Sequence, residues 1–181
     1  MKELEAKILE VNRIQIEKTL GGLGAKKVFD GDIQTLLFDF EDGRIFKARD
    51  VLRLRKAQDK TELTYKKVRV TEAAKFAEEY SVDVSSLDVA QKILENLGLS
   101  VVENMRKHRV SYTLDEARFD FDAYQKEHSF IPEFLEIEAE NTASIHKYAK
   151  FLGFGPEKCL PWSTKDIIQY YSSKKEVNPK G

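Results

Sequence analysis

The sequence predicts an α+β protein in which about eight short, mostly antiparallel strands form a tunnel, or barrel, with a charged lumen and α-helices packed outside. Three observations support this prediction. Apolar and polar residues alternate with a period of two through many short segments, as in strands that bury one face. Three amphipathic segments of helical spacing each end at a Leu-Gly pair. Finally, charges of like sign cluster on one face of the predicted strands.

Length, charge balance and cysteine content indicate which classes of protein to expect. The chain has 181 residues, which fits one domain of ordinary size. Its 30 Lys and Arg residues nearly balance its 31 Asp and Glu residues, whereas a general nucleic-acid binder carries an excess of bases. Cys159 is the only cysteine, so no intramolecular disulfide is expected. The sequence shows neither a signal peptide nor an apolar run of membrane-spanning length, so we expect a cytoplasmic protein.

Helices are predicted where apolar residues recur at helical spacing. These segments are residues 12–22, 86–96 and 142–152. Each is followed by a glycine that can adopt the left-handed conformation that ends a helix. These glycines are Gly24, Gly98 and Gly153.

Strands are predicted between the helices, where the period changes to two. The alternating segments are residues 4–8, 52–55, 63–66, 76–84, 107–112, 119–122 and 135–138. We also expect Asp42-Gly43 to form a hairpin turn between strands at 36–40 and 44–47. The polar segment 172–181 is predicted to be a disordered tail, which leaves residues 1–171 as one domain.

Pairs of like charge two residues apart are the most informative feature of these strands. Such residues point the same way, roughly 7 Å apart, and repel one another unless an opposite charge lies between them. A solvated sheet face is the ordinary explanation for any one pair, but a whole series favours a face turned towards a charged lumen. The pairs are Glu3 and Glu5, Arg53 and Arg55, Lys107 and Arg109, Asp120 and Asp122, and Glu136 and Glu138.

A lumen with both acids and bases suits a polyanion that binds together with a divalent metal. Carboxylate oxygens are ligands for Mg²⁺ or Mn²⁺. Arg and Lys neutralise phosphate oxygens, and Arg can do so with two parallel hydrogen bonds. Phosphoryl transfer needs little else, since positioning and charge stabilisation supply most of the catalysis.

Specific motifs resemble a known family. Residues 3–7, Glu-Leu-Glu-Ala-Lys, match the ExExK signature of the CYTH domain. This family of triphosphate tunnel metalloenzymes includes class IV adenylyl cyclases and thiamine triphosphatases. Further motifs follow at family-like positions, and the resemblance covers about residues 1–170. They are Leu52-Arg53-Leu54-Arg55, Leu63-Thr64-Tyr65-Lys66, Lys107-His108-Arg109, Asp120-Phe121-Asp122 and Phe134-Leu135-Glu136-Ile137-Glu138.

The resemblance implies a role for individual residues. The catalytic motif at the first strand, which organises the metal and contacts phosphate, is Glu3, Glu5 and Lys7. The triphosphate-binding bases are Lys7, Arg53, Arg55, Lys66, Lys107 and Arg109, with Lys165 near the tunnel mouth. The acids that bind Mg²⁺ or Mn²⁺ are Asp122, Glu136 and Glu138, with Asp120 beside them and Glu79 on the middle strand.

The resemblance also implies an activity. A short chain without an appended helical domain is most similar to the stand-alone class IV cyclases, which convert ATP to cyclic AMP and pyrophosphate. Hydrolysis of inorganic triphosphate or thiamine triphosphate is an alternative, and a non-catalytic module that binds polyphosphate or nucleotides is another. In each case the partner is a small-molecule triphosphate, not nucleic acid or a membrane, and the chain is a monomer or homodimer.

Overall fold

The computed structural model describes the backbone of residues 4–70 and 75–177, and the side chains of residues 4–67 and 78–174. Its eight strands are β1 (Leu4–Ile8), β2 (Lys26–Phe40), β3 (Val51–Ala57), β4 (Lys60–Val70), β5 (Lys75–Val84), β6 (Leu99–Leu114), β7 (Ala117–Tyr124) and β8 (Phe134–Ala139). The α-helices are α1 (Arg13–Gly22), α2 (Arg44–Lys47), α3 (Leu87–Asn96), α4 (Thr142–Phe151) and α5 (Thr164–Val177). No helix in the described ranges is both long and apolar enough to cross a bilayer.

The strands form one sheet in the order β1-β8-β7-β6-β2-β3-β4-β5, so β1 and β5 stand at its two ends. Neighbouring strands pair antiparallel, as between β1 and β8 and between β4 and β5. The prediction of an α+β fold with eight antiparallel strands and flanking helices is confirmed.

The chain divides into two compact units. The first comprises residues 1–31 and 107–181, and the second comprises residues 32–106. Each unit has its own apolar core. Strands β2 and β6 contribute residues to both units.

The core of the first unit lies between helices α1 and α4 and the apolar faces of β1, β7 and β8. On β7 and β8 the core residues occupy the odd-numbered positions that the alternation predicts, among them Phe119, Phe121, Leu135 and Ile137. On β1 they are the even-numbered Ala6 and Ile8. Residues of the opposite parity therefore point away from these helices. Leu4, at the start of β1, is exposed and does not join the core.

The core of the second unit lies beneath α3. Ala90 and Leu94 of this helix pack against Leu36, Phe38 and Leu54 of the sheet. The Ser86 side chain caps the helix by accepting a hydrogen bond from the Val89 amide.

The predicted hairpin at Asp42-Gly43 is wrong, because helix α2 follows this turn instead of a strand. The cause is Asp39, a buried residue whose carboxylate accepts hydrogen bonds from the amides of Ile45, at 3.0 Å, and Phe46, at 2.9 Å. These bonds satisfy amides that have no partner inside a helix and hold the turn in place.

The predicted disordered tail also needs correction. Helix α5 continues to Val177, and residues 178–181 lie outside the described part of the chain. Near the end of the helix, Tyr171 donates a hydrogen bond to Glu10, and Lys174 Nζ lies 3.4 Å from the same carboxylate. These contacts hold the helix against the segment that follows β1.

Candidate active site

The polar face of the first unit carries a continuous row of side chains across four strands. Lys7 of β1 lies opposite Glu136 of β8, which lies opposite Asp120 of β7, which in turn lies opposite Ser111 of β6. The four side chains share one face because directly paired residues point the same way. All four are buried.

Arg109 is the centre of this face. Its Nε and Nη2 atoms donate to Oδ1 and Oδ2 of Asp122, each at 2.6 Å, and its Nη1 atom donates to Asp120. Nη2 also lies 3.7 Å from Oε1 of Glu136. Burial would lower the pKa of Arg109, but the neighbouring carboxylates outweigh it and raise the pKa. The guanidinium is therefore charged and held from three sides.

Asp122 joins Arg109 to a second base. Lys107 Nζ lies 2.6 Å from Oδ2 of Asp122, whose side chain is fully buried. Burial would raise the pKa of Asp122, but Lys107 and Arg109 outweigh it and lower the pKa. The pKa of Lys107 is lowered by its burial and by the charge of Arg109, against the attraction of Asp122. Two bases of like charge are thus held together by one carboxylate.

Lys7 lies between two acids. Its Nζ atom is 2.8 Å from Oε1 of Glu5 and 3.1 Å from Oε2 of Glu136. The backbone of Lys7 also exchanges two hydrogen bonds with Leu160, at 2.8 and 2.9 Å, which fixes this part of β1. Burial would lower the pKa of Lys7, but Glu136 and Glu5 outweigh it and raise the pKa. For Glu136, burial would raise the pKa, but Lys7 and Arg109 lower it.

Basic and acidic side chains on this face predominate on different pairs of strands. On β6 and β7, bases predominate: Lys107, Arg109 and Arg118, with Asp120 and Asp122 between them. On β1 and β8, acids predominate: Glu5, Glu136 and Glu138, with Lys7 among them. One side of the face therefore favours anions and the other favours cations.

A second polar cluster lies on β3, β4 and β5 of the second unit. Glu62 is its centre, with Oε1 3.2 Å from Nη2 of Arg55 and 3.7 Å from Nη2 of Arg53. Lys66 Nζ lies 2.6 Å from Oε1 of Glu79, which is its partner in the β4–β5 register. The predicted phosphate-binding bases of this unit are therefore paired with carboxylates.

Three further predicted site residues are Glu3, Lys165 and Glu138. Glu3 lies outside the described residues. Lys165 is exposed in the first turn of α5, and Glu138 is half-buried on β8. The residues brought together in the first unit are Glu5, Lys7, Lys107, Arg109, Asp120, Asp122, Glu136 and Glu138. Those in the second unit are Arg53, Arg55, Lys66 and Glu79.

Two residues on these faces escaped the sequence analysis. Arg118 has the same parity on β7 as Asp120 and Asp122, and Glu62 has the same parity on β4 as Lys66. The period of two could have identified both residues. Pairs of like charge do not mark them, because each of these two differs in sign from the charged neighbours that share its face.

The acids fit a hard divalent cation by the chemistry of their donors. Glu136 and Glu138 present carboxylates on one face of β8, and Glu5 lies opposite Glu138 in the β1–β8 register. Oxygen donors of this kind suit Mg²⁺ and Mn²⁺. Within the described ranges, no three Asp, Glu, His or Cys side chains surround a common metal position. Lys7 and Arg109 both lie beside Glu136, at 3.1 and 3.7 Å from its carboxylate.

Comparison with known proteins relates this arrangement to a family. A model of the CYTH domain matches residues 1–150. A protein of known structure from Pyrococcus horikoshii OT3 is 25% identical to the chain, with a TM-score of 0.73, over 92% of this chain and 99% of that protein. No curated protein matches the chain.

Two other solved structures share the fold at lower identity. A protein from Vibrio parahaemolyticus, described as a candidate adenylate cyclase, is 18% identical with a TM-score of 0.72, over 92% of this chain and 97% of its own. A candidate adenylyl cyclase from Hippeastrum, described as having a dominant triphosphatase activity, is 14% identical with a TM-score of 0.69, over 93% of this chain and 96% of its own. At these identities the similarity shows the fold alone.

Proposed function

Because the chain belongs to the CYTH domain family, we propose that it is a metal-dependent enzyme that acts on the triphosphate chain of a small-molecule substrate in the cytoplasm. The observation that carries the proposal is the buried contact of Arg109 and Lys107 with Asp122. A protein gains little stability from burying so many charges, since desolvation offsets much of their attraction. Such a cluster is typical of a site that binds a highly charged ligand.

Phosphate oxygens would bind to bases that form ion pairs with carboxylates in the structure. In the first unit these bases are Lys7, Lys107 and Arg109, and the guanidinium of Arg109 can form two parallel hydrogen bonds with one phosphoryl group. We also assign Arg53, Arg55 and Lys66 of the second unit to phosphate binding, together with Lys165. The ion pairs of Arg53, Arg55 and Lys66 keep these three side chains ordered, which lowers the entropy lost on binding.

The metal would be held by the acids of β1 and β8. We propose Glu136 and Glu138 as its main ligands, with Glu5 opposite Glu138 as a further one, and we extend this role to Glu3 from the family motif alone. Asp122 and Glu79 are further candidates, and each would exchange a Lys or Arg partner for the metal. When bound, Mg²⁺ or Mn²⁺ would polarise phosphate oxygens and stabilise the charge that develops on them.

Cyclisation of ATP is the reaction that we favour. The 3′-oxygen attacks the α-phosphorus, the bond from that phosphorus to the bridging oxygen breaks, and the 3′-hydroxyl proton is released to give cyclic AMP and pyrophosphate. Hydrolysis of a triphosphate requires the same cradle of bases with water as the nucleophile. The descriptions of the Vibrio and Hippeastrum proteins support both reactions for this fold.

Product analysis separates these possibilities. The protein is incubated with ATP, inorganic triphosphate or thiamine triphosphate, each with Mg²⁺, with Mn²⁺ or with EDTA. Cyclic AMP formed only with metal supports the cyclase, and orthophosphate supports a triphosphatase. Lys66→Ala, which removes a half-buried base that we assign to phosphate binding, serves as the control of reduced activity. Binding of all three compounds without any turnover would instead indicate a non-catalytic binding module.

A further inference from the structure

The structure assigns a phosphate-binding role to Arg118, and we propose that Asp120 is the positioning residue that holds Arg118 and Arg109 as a pair. This inference rests on the proposed function. It adds a base that no family motif in the sequence marked, and it gives Asp120 a role other than metal binding.

Asp120 holds one guanidinium on each of its oxygens. Oδ1 accepts a hydrogen bond from Nε of Arg118 at 2.8 Å, and Oδ2 accepts one from Nη1 of Arg109. Arg118 has a second support, because its Nη2 atom donates to Oγ of Ser111 at 3.2 Å. Ser111 lies directly opposite Asp120 in the β6–β7 register, so both anchors of Arg118 belong to one rigid strand pair.

The difference in exposure between these side chains indicates which of them can reach a ligand. The side chain of Asp120 is 2% exposed, whereas that of Arg118 is 43% exposed. A guanidinium has five N–H donors, and contacts within the described residues use two of those of Arg118. Arg118 can therefore bind a ligand oxygen without giving up its bond to Asp120.

The position of Arg118 also suits a phosphate that is bound to metal. Its partner across the β7–β8 register is Glu138, one of the acids that we propose as metal ligands. Arg118 therefore lies where the basic side of the polar face meets the acidic side. A phosphoryl group that binds a metal on β8 would find this guanidinium on the adjacent strand.

Two arginines on one carboxylate form a stronger anion site than two separate ones. Their mutual repulsion is reduced by the charge of Asp120, and their planar guanidinium groups are held in fixed orientations. Both can then donate to phosphate oxygens with little further loss of side-chain entropy. The expected ligand is the triphosphate chain, because neighbouring phosphoryl groups can engage both guanidiniums together.

The test measures binding of inorganic triphosphate by calorimetry in EDTA, so that metal plays no part. Arg118→Gln should weaken binding about tenfold or more, as expected for a lost charge-assisted hydrogen bond, and Arg118→Lys should recover part of the loss. Arg106→Gln, which removes an exposed arginine of β6, is the matched control and should bind like the wild type. Equal affinity of Arg118→Gln and the control would overturn the inference.

Asp120→Asn tests the positioning role of Asp120, because positioning and simple electrostatics predict opposite changes in the affinity for triphosphate. Removing a negative charge would by simple electrostatics tighten the binding of an anion, so weaker binding of triphosphate in EDTA supports positioning. Tighter or unchanged binding in EDTA, or a loss of Mn²⁺ affinity measured by electron paramagnetic resonance, overturns it. Ser111→Ala, which removes only the second anchor of Arg118, should also weaken binding and is a milder change if Asp120→Asn does not fold.

The same experiment distinguishes this inference from the proposed function. Wild-type protein that binds no triphosphate, with or without metal, contradicts both. Wild-type protein that binds triphosphate while Arg118→Gln binds it equally well contradicts the role of Arg118 and leaves the proposed function standing.

Discussion

Lys7 and Glu136 face each other across the β1–β8 pair, with Nζ of the lysine 3.1 Å from Oε2 of the glutamate, and both side chains are buried. The pKa of Lys7 is raised above its ordinary value, and the pKa of Glu136 is lowered below its ordinary value. Both groups therefore stay ionised despite the desolvation that burial imposes on them. A base proposed for phosphate and an acid proposed for metal are thus in direct contact.

The metal concentration that the enzyme needs for activity should depend on Glu138 of β8. Glu138→Gln should raise the metal concentration for half-maximal activity at least about tenfold, because an amide is a weaker ligand than a carboxylate for a hard cation. Binding of triphosphate in EDTA should be retained, since the bases are unchanged. The measurement is activity against Mg²⁺ concentration, with Glu140→Gln, an exposed residue just after β8, as the control. Full activity of Glu138→Gln at low metal would show that the metal binds elsewhere.

The stability of the first unit should depend on Arg109. Arg109→Met leaves Asp120 without one of its arginines and Asp122 with Lys107 as its remaining base, both in buried positions. Removing one partner of a buried ion pair costs about 3–5 kcal/mol in the free energy of unfolding. Urea denaturation measures this change, and Arg106→Met is the control. A difference below about 0.5 kcal/mol, typical of a neutral surface substitution, would mean that the carboxylates are well solvated.

Triphosphate with Mg²⁺ should stabilise the folded protein. A ligand that binds only the folded state adds about 2.7 kcal/mol at a hundredfold excess over its Kd. At roughly 2–4 °C per kcal/mol for a domain of this size, the melting temperature should rise by several degrees. Pyrophosphate should give a smaller rise and orthophosphate little, because each lost phosphoryl group engages fewer bases. Equal shifts with sulfate, orthophosphate and triphosphate would indicate nonspecific anion binding.

Asp39 should make the second unit less stable in acid. Burial would raise the pKa of this carboxyl, but the amide donors of Phe46, Ile45 and Phe40 outweigh it and lower the pKa. A lowered pKa in the folded state means that the contribution of Asp39 is complete above its unfolded pKa, about 3.9, and is lost as the pH falls through the folded value. Asn has one acceptor oxygen in place of the two that Asp39 uses, so Asp39→Asn should cost about 0.5–1.5 kcal/mol at pH 6, the net contribution of one hydrogen bond, and progressively less below pH 4.

Urea denaturation at both pH values measures the effect of Asp39→Asn. The control is Asp59→Asn, which changes an exposed aspartate in the turn between β3 and β4. A cost for Asp39→Asn that stays constant from pH 6 to below pH 4 would show that the carboxylate charge is not what stabilises α2.

Local features of the sequence determined the elements and the faces of the strands. Alternation with a period of two depends on neighbouring residues alone, so it correctly placed Phe119 and Phe121 in the core and Asp120 and Asp122 on the opposite face. The helix ends were equally local. Gly24, Gly98 and Gly153 have φ values of +85°, +89° and +88°, a conformation that glycine adopts without the strain of a side chain.

Contacts between distant residues decided the rest. The turn at Asp42-Gly43 leads into a helix because Asp39 captures the amides of α2. The ion pairs of the candidate site depend on strand order, since Lys7 meets Glu136 only because β1 pairs with β8, far along the chain. Arg118 and Arg109 likewise contact the same carboxylate, that of Asp120, because β6 pairs with β7. Sequence alone determined which residues share a face, because that is a property of one strand, whereas hydrogen-bonded pairing between strands decided which charges touch.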